Sequence, residues 1–139
     1  MSDLHTIIYV SSAVRLFDEA ELEKLLADAR HLNRLQSITG VLLYSDGNFM
    51  QCIEGSEAAV NKTFERIAAS KRHKDVIEIL RMPIESRNFG SWEMGIARPI
   101  KSELLTLTDA ISTAESKTNS SSPTIGLDLL KSFLVSVRA

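Results

Sequence analysis

Cys52 is the only cysteine in the 139 residues, so no intrachain disulfide can form and a packed core has to hold the fold. Excess charge of one sign is also missing. Sixteen basic residues face eighteen acidic ones, interspersed along the chain, which leaves no electrostatic footprint for nucleic acid and no polybasic anchor for a membrane surface. The apolar runs are strand-sized and fall far short of the roughly 20 residues that a bilayer span requires. The start, Met1-Ser2-Asp3-Leu4-His5, lacks the basic flank and apolar core of a secretory signal. His5, His31 and His73 are scattered, without metal-ligand spacing, and no glycine-rich nicotinamide fingerprint is present. With no internal repeat either, the expectation is one cytoplasmic domain with its own core and neither nucleic acid nor membrane as a partner.

What is present reads as alternating strands and helices. Residues 4–10, LHTIIYV, are β-branched and aromatic, with Ile7 and Tyr9 on one face and Thr6, Ile8 and Val10 on the other, as in a strand buried on both sides. Asp18 is a candidate helix cap, and Leu22, Leu25, Leu26, Ala29 and Leu32 recur at helical spacing to about Leu35. In SITGVLLYSDGNFMQCIEG, two apolar runs flank Asp46-Gly47, a strong hairpin signal. Ser56 can cap a second helix with Val60, Phe64, Ile67 and Ala68 as its stripe, and the basic cluster from Lys71 to Lys74 marks its far end. VIEILRMPI then reads as a fourth strand and WEMGIA as a fifth. This order predicts an α/β (α+β) ferredoxin-like βαββαββ sandwich with both helices on one sheet face. Beyond it, residues 102–115 and the segment GLDLLKSFLVSVR, with Leu127, Leu130, Leu134 and Val137 at helical spacing, predict two additional C-terminal helices. Those helices could cover the other sheet face or dock on a partner.

Gln51 is the local anomaly. Alternation along FMQCIE aligns Phe49, Gln51 and Ile53, so an amide sits in an apolar row of a strand near the middle of the sheet. Left without partners, a buried amide costs about 1 to 3 kcal/mol. In the ferredoxin-like order the first strand lies beside this one, which makes the Tyr9 phenol its natural neighbour. Asn33, near the end of the first helix, can bring a second amide to the same space. Two amides and a phenol with no ionisable partner suit a neutral heteroaromatic ligand better than acid–base chemistry. In a small domain, backbone groups or water satisfy such residues more often than a ligand does.

The segments IIYVSS, Asn33 followed by SITGVLLYSDGNFMQCIEG, RIAASKRH and RNFGSWEMG, taken in order, resemble the consecutive motifs of BLUF domains, sensors of blue light using FAD. The likeness spans roughly residues 3–98. It implies a flavin-binding photosensor domain over 1–98, with 99–139 as a C-terminal helical extension, and FAD as cofactor, with FMN possible. It further implies Tyr9 as the photo-oxidisable phenol, Gln51 as the amide between Tyr9 and the flavin, and Asn33 on the other polar edge of the ring. Phe49, Ile53 and Ile67 would pack near it, with Arg66, Arg72 and His73 about the ribityl and phosphate portion. Trp92 and Met94 match a pair that exchanges places near the glutamine, although both could equally be core packing. Ser70 and Leu32 depart from the family pattern, standing where many relatives carry an acidic residue and a second amide or histidine.

The resemblance implies a sensor, not an enzyme. Output would pass to a separate downstream signalling protein, and the chain would form a homo-oligomer. Two other readings fit the residues alone: a small flavin-dependent oxidoreductase, and a ferredoxin-like binding domain without a cofactor.

Overall fold

The structure, a computed structural model, describes residues 3–14, 17–90, 94–97, 106–111 and 130. Short-range chemistry accounts for most element boundaries. Strand β1 (Leu4–Ala13) leads to helix α1 (Glu19–Gln36), which Asp18 opens: its carboxylate accepts from Glu21 N at 2.8 Å while the Glu21 side chain accepts from Asp18 N. Ser37, in the left-handed region at φ 55°, closes it. Strands β2 (Thr39–Ser45) and β3 (Asn48–Ser56) form the expected hairpin, with Asp46 and Gly47 both at positive φ, 45° and 82°. Ser56 caps α2 (Glu57–Ala68) through a 3.1 Å bond from Ala59 N. Strands β4 (His73–Pro83) and β5 (Gly95–Ala97) complete the sheet.

The strand order is β4-β1-β3-β2-β5, antiparallel throughout except for the parallel β2–β5 pair, which is the predicted ferredoxin-like arrangement with one added edge strand. The two faces of the sheet carry separate cores. Ile7, Leu42, Phe49 and Ile53 pack with Leu22 and Leu26 of α1 and Val60 of α2. On the opposite face, Ile8, Val41, Leu43, Met50 and Cys52 pack with Leu107, Ile111 and Leu130. Residues 106–111 are helical. The choice between cover and partner docking is thereby resolved for these three residues, which cover the second sheet face. The remainder of the two expected tail helices lies outside the described residues.

Two local differences from the sequence reading bear on the site. The basic cluster does not end α2, which stops at Ala68; His73 and Lys74 already belong to β4. Cross-strand pairing decides this, because Ala13 pairs with His73 and Ser12 with Lys74 at the far end of the β1 ladder. On α2, Ala68 is exposed and Thr63 is buried, so the inward row runs Ala59, Val60 and Thr63. On α1, Leu32 is 36% exposed despite its place in the apolar repeat, because it lines a cavity between the helices.

Candidate functional site

Tyr9 and Gln51 are direct partners in the β1–β3 ladder, and Leu42 is the partner of Gln51 on the other side. Directly opposed residues share a face, so all three side chains stand on the helix side of the sheet. Both Tyr9 and Gln51 are buried, and the phenol donates its hydrogen bond to Gln51 Oε1. The other end of the amide, Nε2, donates to Met94 Sδ at 3.3 Å. A phenol at one end and a thioether at the other define which way the amide points, since sulfur has no hydrogen to give. Burial pushes the Tyr9 phenol far above its ordinary range, partly offset by the positive charge of Arg66, so the group is a neutral donor at any working pH. Phe64 of α2 meets the Tyr9 ring edge-on at 5.6 Å and 69°.

A cavity of about 380 Å³ opens between α1 and α2. Leu25 and Leu32 line it from α1, Arg66 and Ile67 from α2, and Arg72 and His73 from the turn into β4. Burial lowers the Arg66 guanidinium from its usual range, with the nearby Tyr9 acting the other way. His73 is held neutral down to about 4, chiefly by burial and then by the charge of Arg72; its Nδ1 shares a 2.9 Å hydrogen bond with Ser11 Oγ, and its ring lies 4.7 Å from that of Phe49. Arg72 Nη2 donates to Asp28 Oδ2 at 3.1 Å, an exposed pair spanning from α1 to the α2–β4 turn. Arg72 also borders a second cavity of about 310 Å³ that carries Lys24 and Lys71. The slot thus has an apolar wall and a charged end, where Arg66 and Arg72 stand with Asp28.

Of the residues singled out from the sequence, Arg66, Ile67, Arg72 and His73 line the cavity. Tyr9, Phe49, Gln51 and Ile53 lie in the buried rows of β1 and β3 on the same side of the sheet as both helices. Asn33 is buried at the last turn of α1, next in sequence to the cavity-lining Leu32. Met94 reaches Gln51, whereas Trp92 lies outside the described residues.

Several contributors escaped the sequence reading. Arg30 of α1 bonds the Met94 carbonyl from Nε at 3.0 Å. Glu54, fully buried three residues after Gln51, accepts from Asn88 N at 2.6 Å and Phe89 N at 2.8 Å and so fastens the segment leading to β5. Both are charged residues inside apolar patterns, which was the available signal. Thr63 is the third: its Oγ1 is buried without a hydrogen-bond partner among the described residues.

The site thus combines a ferredoxin-like sandwich, an amide bonded at both ends on the helix side of the sheet, and a cavity between the two helices whose lining does not itself include Tyr9 or Gln51; among the described residues no group of three or more His, Cys, Asp or Glu could hold a metal ion. Comparison with known proteins gives the class its name. The family model for sensors of blue-light using FAD matches residues 4–95, and the chain belongs to this BLUF family. Photoactivated adenylate cyclase subunit alpha of Euglena gracilis is 38% identical over 88 residues, which is 63% of this chain but 9% of the cyclase subunit. The chain thus spans about a tenth of the length of that relative. BlrB, a BLUF protein solved in its dark state, superposes with a TM-score of 0.72 at 28% identity over 98% of both chains. Klebsiella pneumoniae BlrP1, solved with FMN and cyclic diGMP, superposes with a TM-score of 0.63 at 34% identity, covering 68% of this chain and 26% of that one. The relatives are light-regulated signalling proteins, and the matched stretch is 9% of the Euglena cyclase subunit and 36% of a bacterial light-regulated adenylyl cyclase.

The residues present fit a flavin. The slot is of the size that small-ligand sites occupy, with Leu25, Ala29, Leu32 and Ile67 as an apolar wall and charged and polar side chains at its rim. The orphaned hydroxyl of Thr63 lies three and four residues before Arg66 and Ile67, on the same face of α2. An N–H of Gln51 is committed to a weak sulfur acceptor, so the amide has capacity for a better one. No helix among the described residues is long and apolar enough to cross a membrane.

Proposed function

We propose that this chain is a blue-light photoreceptor that holds a flavin between α1 and α2 and signals through rearranged hydrogen bonds around Tyr9 and Gln51. The observation that carries this reading is the Gln51 amide, engaged by Tyr9 at its oxygen and by Met94 at its nitrogen. Asn33, Phe49, Gln51 and Ile53 would hold the ring, with Ile67 against its face. Arg66, Arg72 and His73 would meet the ribityl and phosphate portion, which either FAD or FMN provides. BlrP1, a relative solved with FMN, supports FMN, and the family description supports FAD.

When bound, the flavin supplies blue-light absorption and an excited-state oxidant. Tyr9 is the electron donor of the site: a buried, neutral phenol whose proton already points at Gln51 Oε1 and can leave along that bond. Gln51 does the switching, because an amide has a donor end and an acceptor end and its rotation or tautomerisation rewires both neighbours without moving net charge. Rotation turns Oε1 toward Met94, whose thioether has no proton to offer, and turns Nε2 toward the Tyr9 oxygen. The Gln51–Met94 attraction is lost, and with it part of the hold on the residue preceding β5. That differential contact is what a light signal requires.

The output is carried by a separate protein partner, by way of β5 and the helical residues 106–111, and the protein works in the cytoplasm as a homo-oligomer. An absorption spectrum of the flavin-loaded protein before and after blue illumination tests the reading. A small reversible red shift is expected; bleaching by photoreduction, or a protein that retains no flavin, would overturn it.

A further inference from the structure

Met94 is buried in the core between the sheet and the helices, and two polar contacts fix its place there. It stands one position before β5, which has three residues, lies at the sheet edge and pairs with β2. Its sulfur is a soft acceptor for Gln51 Nε2 at 3.3 Å. A stronger hold comes from across the site, where Arg30 Nε donates to the Met94 main-chain carbonyl at 3.0 Å.

Arg30 has an unusual place on its own helix. Leu22, Leu26 and Asn33 are the buried residues of α1, and Arg30 falls between Leu26 and Asn33 at spacings of four and three, on the same face. Apolar side chains normally fill such a row. Leu25, Ala29 and Leu32 form the neighbouring row, which lines the cavity. A guanidinium brought partly out of water needs its N–H groups used, and the Met94 carbonyl is a charge-assisted partner for one of them.

We propose that Arg30 is a positioning residue for the switch: its bond to the Met94 carbonyl keeps the thioether over the Gln51 amide and sets how much of the dark protein holds Met94 there. This rests on the reading of Gln51 as the light-driven element. Besides its packing in the core, two polar attractions act on Met94 before illumination, one on its sulfur and one on its carbonyl. Rotation of the amide removes the first. The second then decides how far Met94 departs and how readily it returns, so α1, which walls the cavity, is coupled to β5 through one side chain. The arrangement is a two-position element biased from both ends.

The test uses the full chain, loaded with flavin and labelled with 13C at the methyl groups of its four methionines. The Met94 resonance is assigned by its loss in Met94→Leu. In the native sequence this resonance should move on illumination and return with the spectrum. Arg30→Ala should keep the flavin and its red shift, while in the dark its Met94 resonance lies partway toward the illuminated position. Its dark recovery should slow roughly tenfold to a hundredfold, the size expected for losing one hydrogen bond to a charged group. Arg30→Lys, which still donates but without the rigid fork, should fall between. A role confined to stabilising α1 would leave the Met94 resonance in place and would slow recovery equally with or without Met94→Leu; either result overturns the proposal. If Arg30→Ala fails to fold, Arg30→Lys and Arg30→Gln read the same two quantities with most of the stem retained, and native values in both count against it. A native protein with no red shift would remove the switch itself, whereas a photoactive native protein with an unchanged Arg30→Ala removes only the role of Arg30.

Discussion

The Tyr9 hydroxyl donates to Gln51 Oε1 from the directly opposing position of the β1–β3 ladder, so the two side chains are bound to each other by strand register as well as by the hydrogen bond itself. A one-residue slip of β3 against β1 would turn Gln51 to the other face of the sheet and part it from Tyr9. The register is secured on that other face by Ile8, Met50 and Cys52, each fully buried.

Removing the Tyr9 hydroxyl alone leaves Gln51 Oε1 buried without this donor. Tyr9→Phe should therefore cost about 1 to 3 kcal/mol in denaturant unfolding and abolish the light-induced red shift, while the flavin is retained. The difference spectrum and an unfolding curve of the same sample check both.

Replacing both partners separates stability from function. Because a matched apolar pair leaves no polar group unsatisfied, Tyr9→Phe combined with Gln51→Leu should recover most of the stability lost in the single variant, to within about 1 kcal/mol of the native protein. Its photoresponse should stay absent. Additive destabilisation in the double variant would show that the hydrogen bond is not the interaction being removed.

His73 sets an acid limit. Its folded pKa of about 4 lies below the ordinary 6.5 of an unfolded chain, so the unfolded state takes up the proton first and stability falls as pH drops through that window. Full expression of the shift would remove up to about 3 kcal/mol, less where solvent screens the cavity edge. Urea midpoints at pH 7, 5.5 and 4.5 should decline, and His73→Gln should flatten the decline.

Arg72 stands at the charged end of the cavity and should distinguish flavins that carry phosphate. Arg72→Ala is expected to weaken FMN binding about tenfold, the worth of one charge-assisted contact, and to leave riboflavin affinity nearly unchanged. Fluorescence quenching titrations of both ligands measure this, and an equal loss for the two would place the phosphate elsewhere.

Ile111 is fully buried against the sheet face opposite the helices. Ile111→Ala should cost about 2 to 5 kcal/mol, as for other large-to-small core changes. The same packing means that deleting residues 101–139 would uncover Val41, Leu43, Met50 and Cys52, so loss of signalling in such a truncation would report on stability as much as on output. Single substitutions on the solvent side of residues 106–111 are the cleaner probe of partner binding.

Signals acting within a few residues were legible in the sequence, because caps, turn residues and alternation operate locally. Asp18 and Ser56 opened the helices, Asp46-Gly47 turned the hairpin, and period-two alternation put Tyr9 in a row with Ile7 and Gln51 in a row with Phe49 and Ile53. Ordered motifs then pointed to the family that the comparison bears out over residues 4–95. What required the tertiary structure is whatever joins distant segments. The cluster around Lys71 looked like a helix end until the β1 ladder claimed His73 and Lys74, and Leu32 looked like core until the gap between α1 and α2 left it lining a cavity. Arg30 and Met94 are 64 residues apart, and nothing in either local pattern names the other. Local propensity determined which elements form and which side chains of a strand share a face; the pairing of β1 with β3 and of the edge strand β5 with β2 decided that Gln51 is held from both ends, because only there do the Tyr9 phenol and the Met94 sulfur come within hydrogen-bonding reach of one amide.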